Sequence, residues 1–162
     1  MTRSVFRDTS RNCRGTFALW QVPNGVVMTE VVCVFVVDDD PLVMMTLEHA
    51  LEDGGFVFKT ACSAIEAKAL FDTCGAECRA LITDVNLGSA ATGWDVARSA
   101  REMNGTLPVV YVTGDSAHEW RAQGVPDSIL IEKPFVSAQI TNAVAFLLNA
   151  QSQLSQTFPQ RP

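Results

Sequence analysis

The chain has 162 residues, of which 48% are apolar and 19% are charged, and its formal net charge is −6. This amount of material is typical of one globular domain that buries its core without disulfides or a structural metal. No apolar run approaches the roughly eighteen residues that a membrane-spanning helix needs. We therefore expect a protein that has no membrane partner.

The charge is unevenly distributed along the chain. Residues 1–27 hold four of the 12 basic residues and only one acidic residue, Asp8, so the remainder is strongly acidic. Nucleic acid is bound through clustered Lys and Arg, and an acidic body therefore argues against a nucleic acid partner. The five cysteines are odd in number and irregularly spaced, which favours reduced thiols and a cytoplasmic location.

The two ends of the chain lack regular patterning. Residues 1–28 are predicted to be a disordered or poorly ordered extension, or upstream sequence before a start at Met28. A targeting signal is the alternative, but Gln21 and Pro23 interrupt the apolar stretch. Residues 151–162 are rich in Gln, Ser and Pro and are predicted to be a flexible tail. The domain is thus expected to span residues 29–150.

Five apolar runs predict five strands, separated by stretches with helical spacing. The first run, Val31–Val37, is β-branched and aromatic without alternation, as in a strand covered on both faces of a parallel sheet. Ser63 and Glu66 form a predicted capping box, and glycines after the helical stretches predict left-handed C-caps. The other four runs are 56–60, 80–83, 107–112 and 128–131, and the closing helix carries Val136, Ile140, Ala143, Val144 and Leu147.

This alternation predicts an α/β protein of (βα)5 type, in which an open parallel sheet has helices on both faces. The flavodoxin-like strand order 2-1-3-4-5 is one of the two common forms of such a sheet. In either form, function is expected beyond the carboxyl ends of the strands.

Polar side chains follow four of the five predicted strands. Asp38 and Asp39 follow the first strand, Asp84 the third, Thr113 the fourth and Lys133 the fifth. In the 2-1-3-4-5 order the first and third strands are neighbours, so the three carboxylates would converge. Their repulsion must be offset by raised pKa values, by the lysine or by a divalent cation, and oxygen ligands suit Mg²⁺ best.

Asp84 is the candidate nucleophile for a phosphoryl group, because it stands alone at a strand end before a loop rich in Gly and Ser. Asp38 and Asp39 are paired, as a metal site would require. Lys133 would supply positive charge to the phosphoryl group, and Thr113 a hydrogen bond. The competing structural interpretation is that the acidic triplet 38–40 only caps the following helix.

These residues resemble those of the receiver domains of two-component response regulators. The matching segments are 36–39, 82–84, 112–114 and 132–135, and the resemblance covers about residues 31–148. It implies a CheY-like, flavodoxin-like three-layer sandwich with strand order 2-1-3-4-5. It also implies a cytoplasmic phosphoprotein of phosphorelay signal transduction.

The resemblance implies that Asp84 is phosphorylated by a histidine kinase or a histidine phosphotransfer protein. Asp39, Asp84 and the Asn86 backbone carbonyl would bind Mg²⁺, with Asp38 acting through water. Thr113 and Lys133 would contact the phosphoryl group. The protein would be no enzyme apart from accepting its own phosphoryl group and hydrolysing the acyl phosphate, and phosphorylation would favour a dimer through helix 4, strand 5 and helix 5.

Three features depart from the family pattern. Leu130 stands where the family usually has an aromatic switch residue, and Gly88 stands in place of a common proline. No effector domain follows Leu148, which predicts a free-standing receiver. A degenerate receiver that binds partners without phosphorylation is therefore an alternative.

A second alternative is a haloacid-dehalogenase-like phosphatase, because Asp38 and Asp40 fit a D-x-D motif. Leu42 and the lack of an acidic pair after Lys133 disfavour it. Two tryptophans, Trp94 and Trp120, are predicted to cover the sheet edge or to mark a partner surface.

Overall fold

The structure is a computed structural model that describes residues 17–22 and 25–157. The chain divides into two compact units, residues 1–30 and residues 31–162, which are described separately. No helix among the described residues is long and apolar enough to cross a membrane.

The first unit contains a β-hairpin. Strand β1 (Phe17–Val22) pairs antiparallel with β2 (Gly25–Glu30), so that Phe17 lies opposite Glu30 and Val22 opposite Gly25. No strand is predicted here from the sequence, because Gln21 and Pro23 are interpreted only as interruptions of the apolar stretch. Two β-prone runs separated by two turn-forming residues are a hairpin signal. The prediction for residues 1–16 lies outside the described residues.

The second unit is a parallel sheet of five strands, and it confirms the predicted fold. The strand order is β4-β3-β5-β6-β7, which is 2-1-3-4-5 when the predicted strands are counted from the first. Each strand pairs parallel with its neighbours. The strands are β3 (Cys33–Val37), β4 (Val57–Ala61), β5 (Cys78–Asp84), β6 (Val109–Thr113) and β7 (Ile129–Glu132).

Each face of the sheet packs against helices, because successive side chains of a strand point to opposite faces. Phe35 and Val37 of β3 belong to the core on one face, whereas Val34 and Val36 belong to the core on the other. This division explains why the first predicted strand is apolar throughout. The helices are α1 (Pro41–Asp53), α2 (Ala64–Cys74), α3 (Gly93–Met103), α4 (Trp120–Gln123) and α5 (Ser137–Thr157).

The predicted helix ends agree only in part with the structure. Ser63 caps α2 by accepting a hydrogen bond from the Glu66 amide, while Glu66 accepts one from the Cys62 amide. Gly55 after α1 is left-handed, as predicted for a C-cap. Gly75 is right-handed (φ −57°, ψ −29°) and Gly124 is extended (φ −67°, ψ 147°), so the prediction is wrong there.

The last helix, α5, extends to Thr157, beyond the predicted domain end at residue 150. The Gln151 side-chain amide donates hydrogen bonds to the Thr106 hydroxyl and carbonyl oxygens, at 3.1 Å and 3.3 Å. This contact ties the first residue of the predicted tail to the loop before β6. Residues 158–162 lie outside the described part of the chain.

The cysteines do not all match the prediction of reduced thiols. Cys33, Cys62 and Cys78 are free, whereas Cys74 is disulfide-bonded. Burial raises the pKa of the Cys33 thiol to about 11 and that of Cys78 to about 12. These two thiols are therefore protonated, unreactive core residues at neutral pH.

Candidate functional site

The polar residues predicted to meet at the carboxyl edge of the sheet do so in the structure. Asp38 and Asp39 follow β3, Asp84 ends the neighbouring strand β5, Thr113 ends β6 and Lys133 follows β7. Parallel strands end at the same edge, so these residues from distant parts of the sequence form one site.

Lys133 bridges two of the carboxylates. Its Nζ lies 3.3 Å from Asp38 Oδ2 and 3.2 Å from Asp84 Oδ1. Asp38 and Asp84 are almost fully buried, at 1% and 5% exposure, whereas Asp39 is exposed. The lysine thus offsets part of the carboxylate repulsion that the sequence analysis predicted.

Burial sets the protonation of this cluster. The pKa of Asp84 is raised to about 6, chiefly by burial and then by the nearby Asp38 charge, while Lys133 opposes the shift. Burial likewise raises the pKa of Asp38, against a hydrogen bond from the Asp40 amide and the charge of Lys133. Burial would lower the pKa of Lys133, but the Asp38 and Asp84 carboxylates outweigh it and the pKa is raised.

The three carboxylates are close enough to share a metal ion. One oxygen each of Asp38, Asp39 and Asp84 lie within 4.8 Å of one another. The donors are all oxygens and one of the carboxylates faces solvent, which suits a hard cation such as Mg²⁺ that keeps several water ligands. These residues therefore fit the predicted cation.

Asp38 is held in place by contacts on both oxygens. Its Oδ1 accepts a hydrogen bond of 2.8 Å from the Asp40 amide, while Oδ2 contacts Lys133. Asp40 caps α1 by accepting a hydrogen bond from the Leu42 amide, so the structural interpretation of the acidic triplet holds for this residue. Capping and site formation are thus divided among the three aspartates.

Thr113 is fully buried, and its Oγ1 accepts a hydrogen bond of 3.0 Å from the Ser116 amide. The Thr113 carbonyl accepts a hydrogen bond of 2.8 Å from the Lys133 amide, which joins the fourth and fifth predicted strands at the site. The Lys133–Pro134 peptide bond is cis.

Asn86 connects the loops that follow β5 and β6. Its Nδ2 donates hydrogen bonds to Asp115 Oδ1, at 3.0 Å, and to Ser116 Oγ, at 3.2 Å. Asn86 is predicted as a site residue through its backbone carbonyl, whereas Asp115 and Ser116 are not predicted from the sequence. Their position in the polar run directly after Thr113 was the available signal.

Gly88, in the loop after Asp84, and Gly93, the first residue of α3, are not predicted from the sequence as site residues. A Cβ on Gly93 would lie 1.9 Å from the Asp84 carbonyl oxygen, so α3 begins directly against the candidate phosphoacceptor. A Cβ on Gly88 would lie 2.7 Å from Asp39 Oδ2. Close approaches of this kind depend on the tertiary structure and leave no local sequence pattern.

The tryptophans depart from the prediction. Trp94, in the first turn of α3, is only 3% exposed and packs on Tyr111 with ring centroids 4.4 Å apart. It is a core residue and not an edge or partner residue. Trp120 is half-buried and donates a hydrogen bond to Ser128 Oγ, while Leu130 packs partly buried against the same core.

Comparisons with known proteins agree with this fold. The family model of the response regulator receiver domain matches residues 34–145. Transcriptional regulatory protein PrrA of Mycobacterium leprae is 33% identical over 118 residues, which are 71% of this chain and 49% of that protein. The chain therefore spans about half the length of the curated relatives it matches.

Solved structures give the same result. A response regulator receiver protein from Sinorhizobium medicae is 40% identical with a TM-score of 0.72, over 75% of this chain and 98% of that chain. The chemotaxis response regulator CheY4 of Vibrio cholerae shares the fold at 23% identity and a TM-score of 0.62, over 72% of this chain and 98% of that chain. With four motifs at the strand ends and a family match over most of its length, this chain belongs to the response regulator receiver domain family.

Proposed function

We propose that Asp84 accepts a phosphoryl group from the phosphohistidine of a histidine kinase or a histidine phosphotransfer protein. The observation that carries this proposal is the contact between Lys133 Nζ and Asp84 Oδ1, within a site where three carboxylates meet. Membership of the response regulator family supports partners of this class.

In the proposed reaction, an Asp84 carboxylate oxygen forms a bond to phosphorus while the bond from phosphorus to the histidine nitrogen breaks. The nitrogen leaves with the electron pair of the broken bond. Lys133, which its carboxylate neighbours keep protonated, offsets the charge of the incoming phosphoryl oxygens. The Thr113 hydroxyl accepts from the Ser116 amide and retains its own hydrogen to donate to a phosphoryl oxygen.

Asp39, Asp84 and the Asn86 carbonyl would hold Mg²⁺, with Asp38 acting through water. When bound, the cation supplies positive charge that offsets the carboxylates and the phosphoryl oxygens. The Asn86 Nδ2 donates hydrogen bonds to Asp115 and Ser116, which tie this residue to the loop after β6. The backbone carbonyl is the ligand that the family resemblance implies.

Labelling with a small phosphodonor tests the proposal. Incubation with acetyl phosphate and Mg²⁺ is expected to increase the intact mass of the wild type and of Asp53→Asn, which alters an exposed carboxylate at the end of α1. Asp84→Asn is expected to remain unlabelled, because it lacks the nucleophilic oxygen. Equal labelling of Asp84→Asn and the wild type would contradict the proposal.

A degenerate, phosphorylation-independent binding module is the second candidate, and Leu130 favours it. This residue packs partly buried against the core at the place of the usual aromatic switch. Phosphotransfer profiling against kinases and phosphotransfer proteins of the source genome separates the two. Transfer to the wild type favours the first candidate, and equal partner binding by the wild type and Asp84→Asn without transfer favours the second.

The phosphatase alternative loses its support, since the chain belongs to the receiver family and Asp40 caps α1. A phosphorylation-dependent dimer through α4, β7 and α5, which are helix 4, strand 5 and helix 5 of the sequence analysis, is part of the proposal. The free-standing type stays a prediction.

A further inference from the structure

Gly88 adopts a backbone conformation that favours glycine. Its φ is +61°, in the left-handed region, and it lies in the exposed loop between β5 and α3. The loop after Asp84 therefore follows a path that this chain's glycine permits.

The same glycine also leaves space for a site carboxylate. A Cβ on Gly88 would lie 2.7 Å from Asp39 Oδ2 and 3.9 Å from Asp39 Cγ. A separation of 2.7 Å is shorter than a van der Waals contact between carbon and oxygen, so any side chain here would displace the carboxylate or the loop.

Displacing the Asp39 carboxylate would cost little folding stability. Asp39 is exposed, and the atom in question is the free end of its side chain. The displacement would, however, carry that end away from its present place within 4.8 Å of the Asp38 and Asp84 oxygens. A side chain at residue 88 thus disturbs the metal site more than the fold.

We propose that Gly88 is a positioning residue for the cation site: its missing side chain leaves the space that the Asp39 carboxylate occupies beside Asp38 and Asp84. The inference rests on the proposed Mg²⁺ site. It predicts that a side chain at residue 88 weakens Mg²⁺ binding more than the accompanying loss of folding stability can explain.

Gly55 provides a matched control in the same chain. Its φ of +79° is also left-handed, but a Cβ there would have no atom within 4 Å. Alanine at either position forces a residue with a Cβ into the same backbone region. Gly55→Ala therefore carries the backbone strain alone, and Gly88→Ala carries the strain together with the displacement of Asp39.

The test is calorimetric titration of the full chain with Mg²⁺ for the wild type, Gly88→Ala, Gly55→Ala and Asp39→Asn, with urea unfolding of each in the absence of Mg²⁺. We expect both glycine variants to lose similar stability. Gly88→Ala is expected to bind Mg²⁺ about tenfold more weakly or worse, as for other residues that support metal ligands. Gly55→Ala is expected to bind like the wild type.

If Gly88→Ala does not fold, Gly88→Asn replaces it in the test. Asparagine adopts the left-handed region more readily than alanine, yet it brings a Cβ to the same place. It is expected to show the same loss of affinity.

Wild-type affinity in the folded Gly88 variants, with binding lost in Asp39→Asn, would overturn the inference and leave the proposed function intact. An equal loss of affinity in Gly55→Ala would also overturn it, since strain alone would then suffice. A wild type that binds no Mg²⁺ would instead contradict the metal site of the proposed function, and the inference with it.

Discussion

The surroundings of the Asp84 carboxyl group disfavour its ionised form. It is nearly buried, it lies beside Asp38, and Lys133 offsets part of the two negative charges. Raised pKa values, a lysine or a cation are the three predicted ways in which the repulsion within such a cluster is offset. The first two are present together, and the third remains part of the proposed function.

This arrangement makes folding stability depend on pH. The pKa of Asp84 is about 6 in the folded protein and 3.8 in its ordinary state. Between these two pH values the folded protein holds a proton on Asp84 that the unfolded chain releases. The contribution of Asp84 to the free energy of unfolding is therefore fully present below pH 3.8 and is lost as pH rises through about 6.

Asp84→Asn removes this loss, because an amide does not ionise. Without divalent cations, we expect the variant to be more stable than the wild type at pH 8, by on the order of 2 kcal/mol, and nearly equal at pH 4. Urea unfolding across this range measures the difference. The exposed control Asp53→Asn is expected to stay within about 0.5 kcal/mol of the wild type. A constant difference for Asp84→Asn would contradict the assignment.

At the scale of elements, α3 shows how a local motif supports the site. Thr92 and Asp95 form a capping box, in which Asp95 Oδ2 accepts hydrogen bonds of 2.9 Å from the Thr92 amide and hydroxyl. Hydrogen bonds from the Thr92 amide and hydroxyl lower the pKa of Asp95. The helix that starts here contacts Asp84 through Gly93, so the cap fixes the end of the loop that follows the phosphoacceptor.

Thr92→Ala removes the hydroxyl of this box. We expect a loss of about 1 kcal/mol in the free energy of unfolding, as is typical of N-cap substitutions. Thr92→Ser retains the hydroxyl and is the matched control, which is expected to lose much less. Equal losses for the two variants in urea titrations would show that the hydroxyl does not stabilise the helix.

At the scale of the whole molecule, cation binding and folding are coupled. Of the proposed ligands, Asp39 follows β3 and Asp84 ends β5, so the two carboxylates come together only in the folded second unit. A ligand that binds only the folded state stabilises it by mass action. Because a bound cation would offset the repulsion among the three carboxylates, we expect Mg²⁺ to raise the free energy of unfolding.

Mg²⁺ at about ten times its dissociation constant is expected to stabilise the wild type by about 1.4 kcal/mol. This corresponds to a rise of about 4 °C in the melting temperature, measured by differential scanning calorimetry. Asp39→Asn is expected to respond much less under the same conditions. A similar rise in both would place the bound cation elsewhere on the protein.

The fold class and the grouping of polar residues at the strand ends can be predicted from patterns that are local in the sequence. The uninterrupted apolar run before Asp38 and the helical spacing of Val43, Leu47 and Leu51 were sufficient to predict the (βα)5 class. The strand order was one of two common forms until the family resemblance implied it. The polar residues after four strands indicated which side chains would come together. These signals are readable because burial and periodicity act on neighbouring residues. The hairpin at residues 17–30 was missed although its signal was also local.

Only the tertiary structure decided how the site is joined. The bridge from Lys133 to Asp38 and Asp84 spans 95 and 49 residues of sequence, and its length depends on how neighbouring strands are aligned. The approach of Gly88 to Asp39 and the packing of Trp94 on Tyr111 likewise arise between separate elements. A linear sequence carries the residues of such contacts, but their distances and burial are set by the packing of the sheet and helices as a whole.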